Sequence, residues 1–253
     1  MITVKEKHLC TGCEACSNVC PVDAISMLED EEGFRYPHVD EHLCIQCEKC
    51  LKVCPITNTP VIGKLSDPIV FACKSNNDDI RVISSSGGIF SLIADAVLKK
   101  RGVVFGAGFD SDFSVVHMNA QNLTDLESLR RSKYVQSSIG LSYKEVEYFL
   151  DDGNIVLFSG TPCQIAGLQS FLKTPRDDLI TMEVVCHGVP SSKVYRRYLS
   201  YLENSYNGEI CEVNFRSKNR GWDNYSTSIH FSNGKQYSEI NSIEPFFMRG
   251  FLT

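Results

Sequence analysis

No uninterrupted apolar run in this 253-residue chain approaches the roughly 20 residues that span a bilayer, and no apolar segment follows a basic one at its start. These absences argue against a membrane span and a secretory leader, and they predict a soluble, cytoplasmic protein. Positive charge is scarce at the N-terminal end, where residues 1 to 60 hold 5 Lys+Arg against 10 Asp+Glu, while the whole chain has 25 against 31. Such a module repels a nucleic-acid backbone, and its acidic surface is either a solvated face or a surface that docks on a basic partner. Neither a Walker nor a G-x-G-x-x-G pattern occurs, so spacing alone assigns no nucleotide loop. Hydrophobic residues are not lacking: at 43% the chain can bury one large domain and a small one, which excludes disorder.

Cysteine is abundant and ordered. Eight of the twelve fall in two runs, Cys10-x2-Cys13-x2-Cys16-x3-Cys20-Pro21 and Cys44-x2-Cys47-x2-Cys50-x3-Cys54-Pro55. Two-residue gaps let three thiolates from one loop reach one iron–sulfur cube, and the three-residue gap with proline sends the fourth to the other cube. The expected ligand sets are therefore Cys10, Cys13, Cys16 and Cys54 for one [4Fe-4S] cluster, and Cys44, Cys47, Cys50 and Cys20 for the second. Gly12, Ala15 and Ser17 are small enough to let the backbone approach the inorganic core. Zinc sites usually set two cysteine pairs further apart, and a cytosolic chain keeps its thiols reduced, so zinc and disulfides fit less well.

The two half-sites also resemble each other in their letters, His8-Leu9-Cys10-Thr11-Gly12-Cys13 against His42-Leu43-Cys44-Ile45-Gln46-Cys47. A stretch with Pro55, Pro60, Gly63 and Pro68 reads as a linker, which places the boundary between residues 57 and 68 and divides the chain into segments 1–60 and 61–253. Beyond it, apolar runs alternate with helical periodicity. Strands are expected at Ile69 to Cys73, Val103 to Ala107, Ile155 to Phe158 and Ile180 to Val185. Helices are expected over Ser86 to Lys100, Gln164 to Leu172 and Lys193 to Leu202. Tyr225 to Phe231 followed by Asn233-Gly234 predicts a two-stranded excursion. The fold class is thus α+β: a small N-terminal two-cluster ferredoxin-like domain, then an α/β domain with a mixed or largely parallel sheet. The chain closes on Phe246, Phe247 and Phe251, an aromatic end that predicts a further segment in relatives.

Several segments of the larger domain are site candidates. Ser84-Ser85-Ser86-Gly87-Gly88 runs into a helix and offers N–H groups and hydroxyls to a phosphate, although serine N-capping explains it equally. Arg130-Arg131-Ser132-Lys133-Tyr134 has cations and a hydroxyl for an anion, or is a solvated helix end. Cys163, in Gly160-Thr161-Pro162-Cys163-Gln164, and Cys186, in Cys186-His187-Gly188, both follow apolar strands. In a parallel sheet such strand ends converge on the carboxyl edge, where ligands bind. A shared metal role and a Cys/His nucleophile are the two competing chemistries. Cys73 and Cys211 have no partner motif and are expected to be structural. No catalytic residue is assigned.

Taken in order, Ser85-Ser86-Gly87-Gly88, Ser132-Lys133-Tyr134-Val135-Gln136, Gly160-Thr161-Pro162-Cys163-Gln164 with Gly167-Leu168, and Cys186-His187-Gly188-Val189-Pro190-Ser191 resemble the beta subunit of coenzyme F420-reducing hydrogenase and dehydrogenase. That family is similar in architecture to 7-hydroxymethyl chlorophyll a reductase. The resemblance implies an iron–sulfur flavoprotein oxidoreductase that passes electrons between an external carrier, two [4Fe-4S] clusters, FAD and an organic or deazaflavin substrate. Ser85, Ser86, Gly87, Gly88, Ser132, Lys133 and Tyr134 become flavin contacts, with Lys133 facing a phosphate or the ring. Cys163 and Cys186 become ligands of a third cluster, which needs further thiolates from a segment beyond Thr253. A non-catalytic electron-transfer subunit of a larger redox complex, or a fragment keeping only its ferredoxin clusters, is the alternative. The partners implied are a redox protein or neighbouring subunits and a small-molecule substrate.

Overall fold

The computed structural model describes residues 1–4, 6–58, 68–240 and 247. The N-terminal module is two short loop-and-helix halves around a hairpin. Its elements are α1 (Ala15–Asn18), β1 (Ile25–Glu29), β2 (Arg35–Val39) and α2 (Lys49–Val53), with β1 and β2 antiparallel. In each half the backbone turns left-handed at matching positions. Gly12 (φ 65) and Glu14 (φ 60) answer Gln46 (φ 54) and Glu48 (φ 59), so the repeat in the letters is also a repeat of chain path. Only Gly12 adopts this region without a Cβ penalty.

The larger part opens with α3 (Asp78–Val82), capped by Asn77, whose side chain accepts from the Asp79 and Ile80 amides. Then follow α4 (Ile89–Lys99), β3 (Val103–Phe109), β4 (Val115–Ala120), α5 (Leu123–Leu129), α6 (Ser142–Asp151), β5 (Val156–Gly160), α7 (Pro162–Leu172), β6 (Leu179–Glu183) and α8 (Ser192–Tyr206). One mixed sheet has the order β4-β3-β5-β6, with β3, β5 and β6 parallel and β4 antiparallel on the edge beside β3. Alternation along the strands divides the core. Val103, Phe105, Val156 and Phe158 face α6, α7 and the N-terminal module, whereas Val104 and Leu157 face α4 and α5. Each fully buried Phe or Leu contributes roughly 1.5–3 kcal/mol, so the N-terminal module is held by a shared apolar core.

α8 starts at Ser191, whose hydroxyl accepts from the Val194 amide at 3.3 Å, and ends where Asn207 turns left-handed. Its buried face of Tyr195, Tyr198, Leu199 and Leu202 packs on a second sheet, β7 (Ile210–Ser217), β8 (Ser226–Phe231) and β9 (Gln236–Ile240). Phe247 completes that core, stacked on Tyr198 with ring centroids 5.0 Å apart.

Three expectations are corrected. Ile69 to Cys73 is not a strand: Ile69, Val70 and Phe71 are 79%, 88% and 77% exposed, because β4 takes the edge position beside β3. The excursion near the end has three strands, since β7 pairs with β8 ahead of the Asn233-Gly234 turn. Cys73 and Cys211 are exposed, so neither is a core residue. The expected linker lies largely outside the described residues, as do Phe246 and Phe251. Among the described residues no helix is long and apolar enough to cross a membrane.

Candidate functional site

The eight ladder cysteines gather into the two sets that spacing predicts. Cys10, Cys13, Cys16 and Cys54 lie within electrostatic reach of one another. Burial is the main cause of the raised thiol pKa values of Cys10, Cys13 and Cys16, with Cys13 pushed up to about 11. Thiols so placed lose their protons to a bound cation rather than to solvent, which suits iron. Cys20, Cys44, Cys47 and Cys50 line a single shallow hollow at the surface, and the Ala24 amide donates to Cys20 Sγ at 3.3 Å. Among the described residues no three His, Cys, Asp or Glu side chains close in as a single metal ion requires. A cubane holds its thiolates on four separate irons, further apart than one tetrahedral ion does.

The small residues of the first loop serve the joint between the two parts. A Cβ on Gly12 would stand 2.4 Å from Gln136 Nε2, so the missing side chain makes room for Gln136, which donates to the Thr11 carbonyl at 3.1 Å. Ala15 is fully buried in the shared core, and the Ser17 hydroxyl donates to the Glu14 carbonyl. Buried Glu14 accepts from Arg35 at 3.1 Å, the Ser138 hydroxyl at 3.2 Å and the Gly140 amide at 3.0 Å. Burial raises its carboxyl pKa, and Arg35 opposes the shift. Tyr143 Oη lies 2.8 Å from the Gln164 carbonyl and 3.0 Å from that of Cys13, tying α6, α7 and the first cysteine loop together. Gly167 lets α7 come this close, because a Cβ there would be 3.3 Å from Cys13 Sγ and 2.9 Å from Tyr143 Oη.

Beside this joint lies a cavity of about 1290 Å³. The first cysteine loop supplies Cys10, Thr11 and Gly12 to its wall. Ser85, Ser86 and Gly88 enter ahead of α4, Ser132, Lys133 and Tyr134 beyond α5, Cys163 at the start of α7, and Cys186 and His187 beyond β6. Of the expected flavin contacts and third-cluster ligands, only Gly87 is not on the wall; a Cβ there would meet the Cys73 carbonyl at 2.9 Å. Gly88, with φ 85, is the N-cap of α4, and no side chain caps that helix, so its first amides are open to an anion. The Ser85 hydroxyl accepts from the Ser132 amide at 2.7 Å, which joins the two segments.

Lys133 stands on the wall, but its ammonium donates to the carbonyls of Ser128 (2.9 Å) and Arg130 (2.7 Å) at the end of α5. Burial and then Arg131 lower its pKa to about 7. Cys163 is within electrostatic reach of Cys13 and 3.2 Å from Thr161 Oγ1. Cys186 is exposed and accepts from the Gly188 amide at 3.3 Å. Among the described residues only Cys10 joins these two on the cavity wall as a third thiol.

Sequence reasoning missed His117, on β4. Its ring is buried, stacks on Phe158 at 5.1 Å and reaches the cavity wall. Chemistry fixes its tautomer: the Ser159 carbonyl, 3.1 Å from Nε2, can only accept, so Nε2 carries the proton. Nδ1 then accepts from the Ser137 hydroxyl at 2.9 Å, Ser137 accepts from Gln164 Nε2 at 2.9 Å, and Gln164 Oε1 accepts from the Thr161 amide at 3.0 Å. Desolvation lowers the imidazole pKa to about 4, so the ring is neutral at ordinary pH. No local motif marks His117; its partners stand 20 and 42 residues away.

Comparison with known proteins supplies two family matches. Residues 9–58 match the 4Fe-4S dicluster domain, and residues 153–250 match the C terminus of the coenzyme F420 hydrogenase/dehydrogenase beta subunit. No curated protein matches. Among solved structures, a chain of the xenon-derivatised F420-reducing [NiFe] hydrogenase complex from Methanosarcina barkeri is similar at 17% identity and a TM-score of 0.46. The likeness covers 67% of this chain and 59% of that one, and it is too distant to bear on chemistry. Residues 153–250 thus carry the C-terminal domain of the coenzyme F420 hydrogenase/dehydrogenase beta subunit, and residues 9–58 carry a 4Fe-4S dicluster domain.

Proposed function

We propose that this chain is an iron–sulfur flavoprotein subunit that takes single electrons at its surface and delivers them to FAD in the large cavity, for exchange with an organic or deazaflavin substrate. One observation carries this reading: the cavity bearing Ser85, Ser86, Gly88, Ser132, Lys133 and Tyr134 is walled on another side by Cys10, Thr11 and Gly12 of the first cysteine loop. The second set, Cys20, Cys44, Cys47 and Cys50, lines a separate hollow. These positions support one order of transfer. Electrons enter at the Cys20/Cys44/Cys47/Cys50 site and leave by the Cys10/Cys13/Cys16/Cys54 site.

When bound, a cubane supplies one-electron relay and a flavin supplies the exchange between one- and two-electron chemistry. The residues do the rest. The uncapped amides ahead of α4 and the Ser86 hydroxyl hold a pyrophosphate; the fixed chain from His117 to Thr161 keeps the cavity floor rigid and neutral. Cys163 and Cys186 offer two thiols toward a third cluster, which needs thiolates from elsewhere. The engagement of Lys133 with two backbone carbonyls favours a second reading, a relay subunit without its own flavin.

A serine variant tests the order of transfer. Cys13→Ser should abolish reduction of bound flavin by an external one-electron donor while the second cluster keeps its paramagnetic signal on reduction. A Cys13→Ser protein that reduced flavin as fast as wild type would contradict it. Flavin absent from wild type with both clusters intact would select the relay reading.

A further inference from the structure

Cys20 and Cys50 of the second cysteine site are buried, but Cys47 of that site is exposed, unlike the seven other cysteines of the two runs. From Asp40 to Lys49 every residue except Cys44 is exposed, with Leu43 at 53% and Ile45 at 60%. Met1, Val22 and Ile45 share the hollow with the four cysteines of this set, and Met1 and Val22 are exposed too. An apolar tip thus surrounds Cys47, itself exposed.

Charge differs across the module. Glu14, Asp23, Glu29 and Asp30 are held in ion pairs by Arg35, Lys144, Arg196 and Lys7. Asp40, Glu41 and Glu48, which flank the tip, form no such pair among the described residues, as is also true of Glu31 and Glu32 between β1 and β2, and the lysines nearest them in sequence are Lys49 and Lys52. A cubane bound by four thiolates adds negative charge of its own. The face therefore presents an apolar centre with a net acidic rim, the form of a transient electrostatically guided interface.

We infer that the Asp40–Lys49 loop is the docking surface for a one-electron carrier protein with a basic rim, which exchanges its electron with the second cluster at Cys47. This rests on the proposed order of transfer and adds to it the partner's charge and the loop that meets it. The exchange moves one electron between the cluster and the partner's redox centre, with no proton transferred and no bond made or broken.

Ferricytochrome c, a basic one-electron acceptor, serves as the probe with the anaerobic protein reduced by a stoichiometric amount of dithionite. Zero-length carbodiimide coupling followed by mass spectrometry should join its lysines to Asp40, Glu41 or Glu48. The second-order rate of haem reduction should fall about tenfold between low and physiological salt, and about tenfold at low salt in the Glu41→Lys/Glu48→Lys double variant. Glu209→Lys, just before β7 of the second sheet, should stay within about twofold of wild type. Cross-links confined to other carboxylates, or a wild-type rate indifferent to salt, would overturn the proposal even if the variants fail to fold. Retained iron and flavin beside such a result would leave the proposed function standing.

Discussion

Gly167 and His117 each hold a position that no other residue type fills equally. At Gly167 the helix meets the first cysteine loop with no space for a methyl group, since Cys13 Sγ and Tyr143 Oη would lie 3.3 and 2.9 Å from it. Gly167→Ala should cost about 1–3 kcal/mol and lower occupancy of the first cluster before the second, as read by cluster-resolved paramagnetic resonance. His117 makes a pH prediction. Its pKa is depressed to about 4, so the folded state resists protonation that the unfolded chain accepts near 6.5. Stability linked to this ring is therefore complete above about pH 6.5 and is lost as pH falls toward 4. Between roughly pH 7.5 and 5 the loss is about 2 kcal/mol. Urea unfolding of wild type and His117→Gln at both values should show that increment only in wild type; equal pH dependence would contradict it.

At the scale of elements, the joint between the N-terminal module and the sheet depends on a few buried polar bonds. Tyr143→Phe removes the hydroxyl shared by the Gln164 and Cys13 carbonyls and should destabilise by about 1–2 kcal/mol. The half-exposed Arg196–Glu29 pair, although bidentate at 2.9 and 2.6 Å, should contribute under about 1 kcal/mol, so Arg196→Met makes the contrasting variant. Much of this layer was legible in the letters. Cysteine spacing reports a local wrapping geometry, and the periodicity of Ile89–Lys99 or Pro162–Leu172 reports one buried face. The antiparallel β4 was not legible, because its role is set by pairing with β3. Nor was the exposure of Ile69 to Phe71, since an apolar run states a preference for burial and not whether a neighbour exists to satisfy it. The cavity was legible only as scattered motifs. The network that runs from His117 through Ser137 and Gln164 to Thr161 joins three distant segments and has no sequence signature.

The whole molecule brings together a surface hollow lined by Cys20, Cys44, Cys47 and Cys50, the Cys10/Cys13/Cys16/Cys54 site at the joint, and a cavity whose wall includes Cys10, Thr11 and Gly12 of that site's loop. The shared core of Cys16, Cys50, Tyr143, Phe158 and Leu168 makes the redox module and the sheet one packing unit, so loss of the clusters should loosen the larger part as well. Iron, acid-labile sulfide and released flavin, all determined on one anaerobically purified sample, test this account most directly. It predicts about eight irons, about eight sulfides and about one FAD per chain. Fewer than about four irons per chain would contradict the cluster assignment, and about eight irons with no flavin would remove the cavity's proposed cofactor.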